Sequence, residues 1–109
     1  MEKKDIDWGN LGFGYVKTDY RYVSNYKDGQ WDKGGLTTDD TVTISECAGV
    51  LQYAQTVFEG MKAYTTEDGH IVTFRPDLNA ERLANSARRL EMPAFPEDMF
   101  VEAVRALVK

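Results

Sequence analysis

Arg82 is the charge whose position says most. At about 100° per residue, Leu78, Leu83, Ser86, Ala87 and Leu90 span roughly half of a helical wheel, and Arg82 falls inside that half. An arginine within an apolar sector must find an anion or a carboxylate, because an unpaired buried charge is costly. Guanidinium groups and helix starts are both phosphate ligands, so one chemistry open to this residue is anion binding. The plainer reading is also open: Arg82 sits at the edge of the stripe and pairs with Glu81, Asp77 or solvent.

The other reactive residues are sparse. Cys47 and His70 are single and far apart in sequence, which gives no zinc or iron spacing and no supported Cys-His or Ser-His-Asp arrangement. His70 falls at a turn and is expected to be solvated. Gly12-Phe13-Gly14 lacks the third spaced glycine and the Lys-Ser/Thr pair of a phosphate loop. Lys62 could form a Schiff base if desolvated, but it reads equally as a surface or salt-bridged lysine. Phe13, Tyr53 and Phe58 lie in or beside glycine-flanked, non-periodic segments, where aromatics can line an apolar pocket or simply fill a core.

These residues need elements to hold them. Thr18–Lys27 is rich in Tyr, Val and Thr, and Asp28-Gly29 offers a tight turn, so Tyr20–Leu36 is expected to form a hairpin. Thr41–Ser45 is expected to add a short strand, and residues 48–55 a short helix. Met61–Thr66 and Ile71–Arg75 flank a second Asp-Gly turn. Pro76 opens a helix, with Asp77 in its first turn, and Pro93 ends it. Pro96 with Glu97-Asp98 opens another, which runs into Lys109 without a cap, as expected of a chain cut within a longer protein. The expected fold class is α+β: an antiparallel, hairpin-rich sheet with two C-terminal helices.

Composition narrows the function classes. The 109 residues suit one core, with 42% apolar and 28% charged residues, which excludes disorder. Eighteen acidic against thirteen basic residues give a net charge of −5, which argues against nucleic acid as a partner. No apolar run approaches the roughly 18 residues of a membrane span. The lone Cys47 and the polar start of the chain point to a reducing cytoplasm.

As a set, three blocks resemble a known family. They are Gln55-Thr-Val-Phe58-Glu-Gly-Met-Lys-Ala-Tyr64, Phe74-Arg-Pro-Asp-Leu-Asn79-Ala-Glu-Arg82 and Ser86-Ala-Arg-Arg-Leu90-Glu-Met-Pro93. Together they resemble branched-chain amino acid aminotransferases, pyridoxal-phosphate enzymes of fold type IV. Phe13-Gly14 with Thr18-Asp19 resembles that family's N-terminal strand, so the resemblance runs from about Gly12 to Lys109.

The resemblance implies that Arg82 binds the phosphate of pyridoxal phosphate. It implies that Phe13, Tyr53 and Phe58 line the pocket for the substrate's branched side chain, with Lys62 at most in support. It also implies what is not here. The family's Schiff-base lysine lies in a C-terminal domain beyond residue 109, so no catalytic residue and no metal ligand is assigned to this chain. Residues 1–14 would form an N-terminal arm and 15–109 an incomplete small α+β domain. The intact enzyme would pass the amino group of leucine, isoleucine or valine to 2-oxoglutarate, working as a homodimer in the cytoplasm. Its partners would be amino acids, 2-oxo acids and its own C-terminal domain, and the isolated chain would be inactive. Two alternatives stand beside this. One is another fold type IV enzyme, a D-amino acid aminotransferase or an aminodeoxychorismate lyase, which the first two blocks disfavour. The other is a short non-catalytic domain that binds a phosphate or a partner.

Overall fold

The computed structural model describes residues 4–109. After a 3-10 turn at Trp8–Asn10, the chain runs through β1 (Arg21–Val23), β2 (Tyr26–Lys27), β3 (Gln30–Trp31), β4 (Gly35–Thr37), α1 (Gly49–Tyr53), β5 (Ala63–Thr65), β6 (Ile71–Thr73), α2 (Pro76–Arg89) and α3 (Glu97–Val108). The class is α+β with two long C-terminal helices, as the sequence predicts.

Both Asp-Gly pairs make the turns expected of them. Asp28 and Gly29 take positive φ, 53° and 84°, the geometry whose twist matches the strands of a tight hairpin. They join β2 to β3, with Tyr26 opposite Trp31. Gly69, at φ 88°, supplies the left-handed residue of the turn between β5 and β6, which pair with Tyr64 opposite Val72. β1 pairs with β4, Tyr22 opposite Leu36. The expected sheet is therefore three separate two-stranded antiparallel ladders.

Asp32 explains one of the breaks. Its Oδ1 accepts from Ser24 Oγ (3.0 Å), Asn25 N (3.1 Å) and Gly34 N (2.9 Å), so it takes donors on both sides of the interruption between the inner and outer ladders. These bonds, the Asn25 N–H first, hold its carboxyl below the ordinary 3.8.

The strand expected at Thr41–Ser45 does not form. The Arg21 guanidinium donates to the carbonyls of Asp39 and Thr41, and the Asp39 carboxylate accepts from Thr41 N (2.9 Å) and Oγ1 (2.7 Å). Backbone groups at the start of this segment are thus committed to side chains and are lost to a ladder.

α2 begins at Pro76, where a missing N–H costs nothing, and carries Asp77 in its first turn and Arg88 and Arg89 in its last. It ends in a Schellman motif. Met92 N–H donates to the Ala87 carbonyl (2.8 Å) and Glu91 N–H to the Arg88 carbonyl (3.0 Å), with Glu91 at φ 57° where glycine is usual. α3 packs on α2 and also touches β1 and β4. Among the described residues the buried hydrophobic side chains are Ala80, Ala84 and Ala87 of α2 and Ala103 of α3, small residues that let two helices approach closely.

Two polar ties join distant segments. Trp31 Nε1 donates to the Ala94 carbonyl (2.9 Å), and its ring meets Tyr26 and Phe95 edge-on, with centroids 5.2 and 4.9 Å away. Gln55 Nε2 donates to the carbonyl of Leu90, at the end of α2 (2.9 Å). The chain exposes 9254 Å², against about 6100 Å² for a compact monomer of this length. Its radius of gyration is 15.6 Å, against about 13 Å. Among the described residues no helix is long and apolar enough to cross a membrane.

The left-handed residue that closes α2 yields a stability prediction. Glu91→Gly removes the Cβ penalty at φ 57° and should stabilise the chain by about 0.5–1 kcal/mol, read as a higher urea midpoint at unchanged slope. A lower midpoint would show that the Glu91 side chain contributes more than its backbone strain costs.

Candidate active-site segment

The segment Phe58–Gly60 precedes β5 in irregular backbone, yet the Glu59 side chain is only 7% exposed. What holds it down is α2. Asn79 and Arg82 are three residues apart, so they stand one turn above another on the same helix face. Arg82 donates through Nε to Glu59 Oε1 and through Nη2 to Oε2 (2.8 Å). Asn79 Nδ2 donates to the same Oε2 (2.8 Å) and also to the Gly60 carbonyl (3.1 Å). One carboxylate thus takes three charge-assisted or amide hydrogen bonds.

The electrostatics follow from that geometry. The Arg82 guanidinium first, then the Asn79 amide, pull the Glu59 carboxyl from its ordinary 4.5 down to about 2, against the opposing effect of desolvation. The Glu59 carboxylate in turn raises the Arg82 guanidinium above its ordinary value.

Arg82 itself is not where the wheel puts it. The buried face of α2 is the alanine stripe of Ala80, Ala84 and Ala87. Arg82 lies about 200° from Ala80 at 100° per residue, and its side chain is 68% exposed. Of the five residues that span the expected apolar half, Leu78 and Leu90 are exposed, Leu83 and Ser86 half-buried and Ala87 buried. The reason is that α2 has two apolar stripes. The alanines form the buried stripe, and Leu78 and Leu90, with Arg82 between them, face outward while Leu83 is half-buried. Neither Glu81 nor Asp77 is the partner of Arg82. Asp77 takes a bidentate pair from Arg75 (3.0 and 2.8 Å), whose backbone is left-handed at φ 47° ahead of Pro76.

The three aromatics stand apart from a packed core. Phe13, Tyr53 and Phe58 are 111%, 86% and 87% exposed. Tyr53 lines a shallow depression with Glu46, Cys47 and Gln52. Lys62 lines a cleft between the Trp8–Leu11 segment and β5. Phe58 is the one ring joined by chain neighbourhood to the Glu59–Arg82 pair. His70 is exposed at its turn, with Nδ1 2.9 Å from Asp68 Oδ2, and Cys47 is a free, exposed thiol. Among the described residues, no three His, Cys, Asp or Glu side chains converge to hold a metal.

A branched-chain-amino-acid aminotransferase of Haemophilus influenzae is 54% identical over 97% of this chain. Along nearly its whole length the chain matches the N-terminal part of such aminotransferases. The chloroplastic branched-chain amino acid aminotransferase 2 of Humulus lupulus is 47% identical over 99% of the chain. A methionine aminotransferase of Arabidopsis thaliana is 43% identical over 93%. The chain spans 31%, 27% and 29% of those three proteins, in that order. No protein-family model matches it.

Sequence reasoning passes over Glu59 and Asn79 as site residues, although both stand in the blocks that carry the family resemblance. The three-residue spacing of Asn79 and Arg82 was the available signal. It places an amide and a guanidinium on one face, which is a ready seat for a carboxylate.

The depressed Glu59 carboxyl gives a pH prediction. A group whose folded pKa lies below its unfolded value stabilises the fold above the unfolded pKa. That stabilisation fades as pH falls from about 4.5 and is lost through about 2. Carbon-detected titration of Glu59 should show a midpoint near 2, and Glu59→Gln should flatten the acid limb of stability in that window. A midpoint near 4.5 would mean that the pair with Arg82 does not persist in solution.

Proposed function

We propose that the chain is the N-terminal part of a branched-chain amino acid aminotransferase. In the intact enzyme the amino group of leucine, isoleucine or valine passes to 2-oxoglutarate. The observation that carries this reading is 54% identity along 97% of the chain to a protein of that name. In this reading residues 1–14 are an arm and 15–109 an incomplete small domain. The rest of the enzyme, a second subunit and a cytoplasmic setting complete it.

Pyridoxal phosphate is the cofactor this reading requires, and the residues present fit its phosphate. A guanidinium has five N–H donors. Glu59 takes two from Arg82, and among the described residues no acceptor takes the other three. The exposed edge of Arg82 is therefore free to bind a dianion. When bound, the cofactor supplies the electron sink for amino-group transfer. This chain's part is binding and enclosure: Arg82 holds the phosphate, and Phe13, Tyr53 and Phe58 wall the substrate's apolar side chain from water.

Such a wall recognises shape and apolar area, which distinguish aliphatic side chains by only about 1–3 kcal/mol per methylene. The methionine aminotransferase among the relatives agrees with a pocket of that kind. The outward stripe of Leu78 and Leu90 around Arg82 is consistent with a face that the remaining domain covers.

Two outcomes test this. Arg82→Ala in the full-length enzyme should weaken cofactor retention by tenfold or more, about 1.4 kcal/mol, while shifting the unfolding midpoint little. Cofactor held as tightly as in wild type would remove Arg82 from the phosphate site. The isolated chain should show no transaminase activity with leucine and 2-oxoglutarate. Stoichiometric borohydride trapping of pyridoxal phosphate on one of its lysines would contradict this.

A further inference from the structure

We infer that Glu59 is a positioning residue: it clamps the inner edge of the Arg82 guanidinium so that the outer edge is presented, already oriented, to the cofactor phosphate. This deepens the reading above and rests on it.

The geometry divides the guanidinium in two. Nε and one N–H of Nη2 are taken by Glu59, and both N–H groups of Nη1 with the second of Nη2 remain. The committed edge faces a carboxylate that is 7% exposed, while the arginine side chain as a whole is 68% exposed. The fixed end is inside and the offered end is outside. A long arginine side chain free in water samples many rotamers, which a ligand would otherwise have to freeze out on binding. Glu59 freezes it in advance.

Asn79 completes the clamp. Its two amide hydrogens are both used, one on Glu59 Oε2 and one on the Gly60 carbonyl. The second bond fixes the backbone that carries Glu59, so the carboxylate cannot follow the guanidinium outward. Asn79 and Arg82 rise from the same turn of α2, which makes the helix the common reference for receptor and clamp.

A charge argument runs the other way and sets the choice of variant. An anionic Glu59 close behind Arg82 repels a phosphate, so Glu59→Gln both loosens the arginine and relieves repulsion, and the two effects oppose. Glu59→Asp keeps the charge and withdraws the carboxylate by one methylene. It therefore changes orientation alone.

The experiment is a double-mutant cycle in the full-length enzyme, with Glu59→Asp, Arg82→Ala and the pair. The probe is pyridoxamine 5′-phosphate, which cannot bond to a lysine, and its dissociation constant is measured by equilibrium dialysis. Alongside it, the Arg82 Nε–H resonance is followed without ligand. Glu59→Asp should weaken binding about tenfold where Arg82 is present and leave binding unchanged where Arg82 is alanine. The Nε–H resonance, protected in wild type, should broaden or vanish in Glu59→Asp. Equal weakening in both backgrounds would make Glu59 merely structural and overturn the inference. So would an affinity lowered by Arg82→Ala but untouched by Glu59→Asp. An affinity untouched by Arg82→Ala overturns the phosphate reading itself, and this role with it.

Discussion

A carboxylate tucked beneath an exposed guanidinium is the constraint on which this chain's site depends. Glu59 sits in irregular backbone between α1 and β5, where no ladder fixes its direction. Its two oxygens and the neighbouring Gly60 carbonyl are instead tied to one turn of α2. Because α2 starts at a proline and is locked at its far end by a Schellman motif, the tie gives the loop the rigidity of the helix. Phe58, next in the chain, inherits that position.

The rest of the molecule shows why such ties matter. Among the described residues the buried hydrophobic side chains are all alanines. A buried leucine or phenylalanine contributes about 1.5–3 kcal/mol, whereas a hydrogen bond contributes about 1 kcal/mol net. Trp31 to Ala94, Gln55 to Leu90 and Glu59 to Arg82 therefore fix directions more than they supply stability. They staple hairpin, loop and helix ends together over sequence separations of 63, 35 and 23 residues. A chain held in this way has its local geometry specified while much of its apolar surface is left in water.

How much of this could be read from sequence depends on the range of the cause. The Asp-Gly turns, the helices opened by Pro76 and Pro96 and the short helix at residues 49–53 follow from local chemistry, and they are where the sequence puts them. The strand at Thr41–Ser45 fails because Arg21, some twenty residues earlier, takes the carbonyls of Asp39 and Thr41. No local pattern contains that. The wheel of α2 misleads for a different reason. Leucines outweigh alanines in apolar area, so the larger stripe is taken for the inner one, but close helix packing on α3 selects the smaller side chains.

That error sharpens the meaning of Arg82. A charge inside an apolar stripe demands an anion only where that stripe is buried, and in this chain Arg82 is 68% exposed. Two of its five N–H donors are taken by Glu59 from below. The other three lie on an exposed edge between Leu78 and Leu90. If that face is covered in the full-length enzyme, the uncommitted donors become buried and each unpaired one costs about 1–3 kcal/mol. Covering Arg82 without an anion is then unfavourable, and covering it with a phosphate is not.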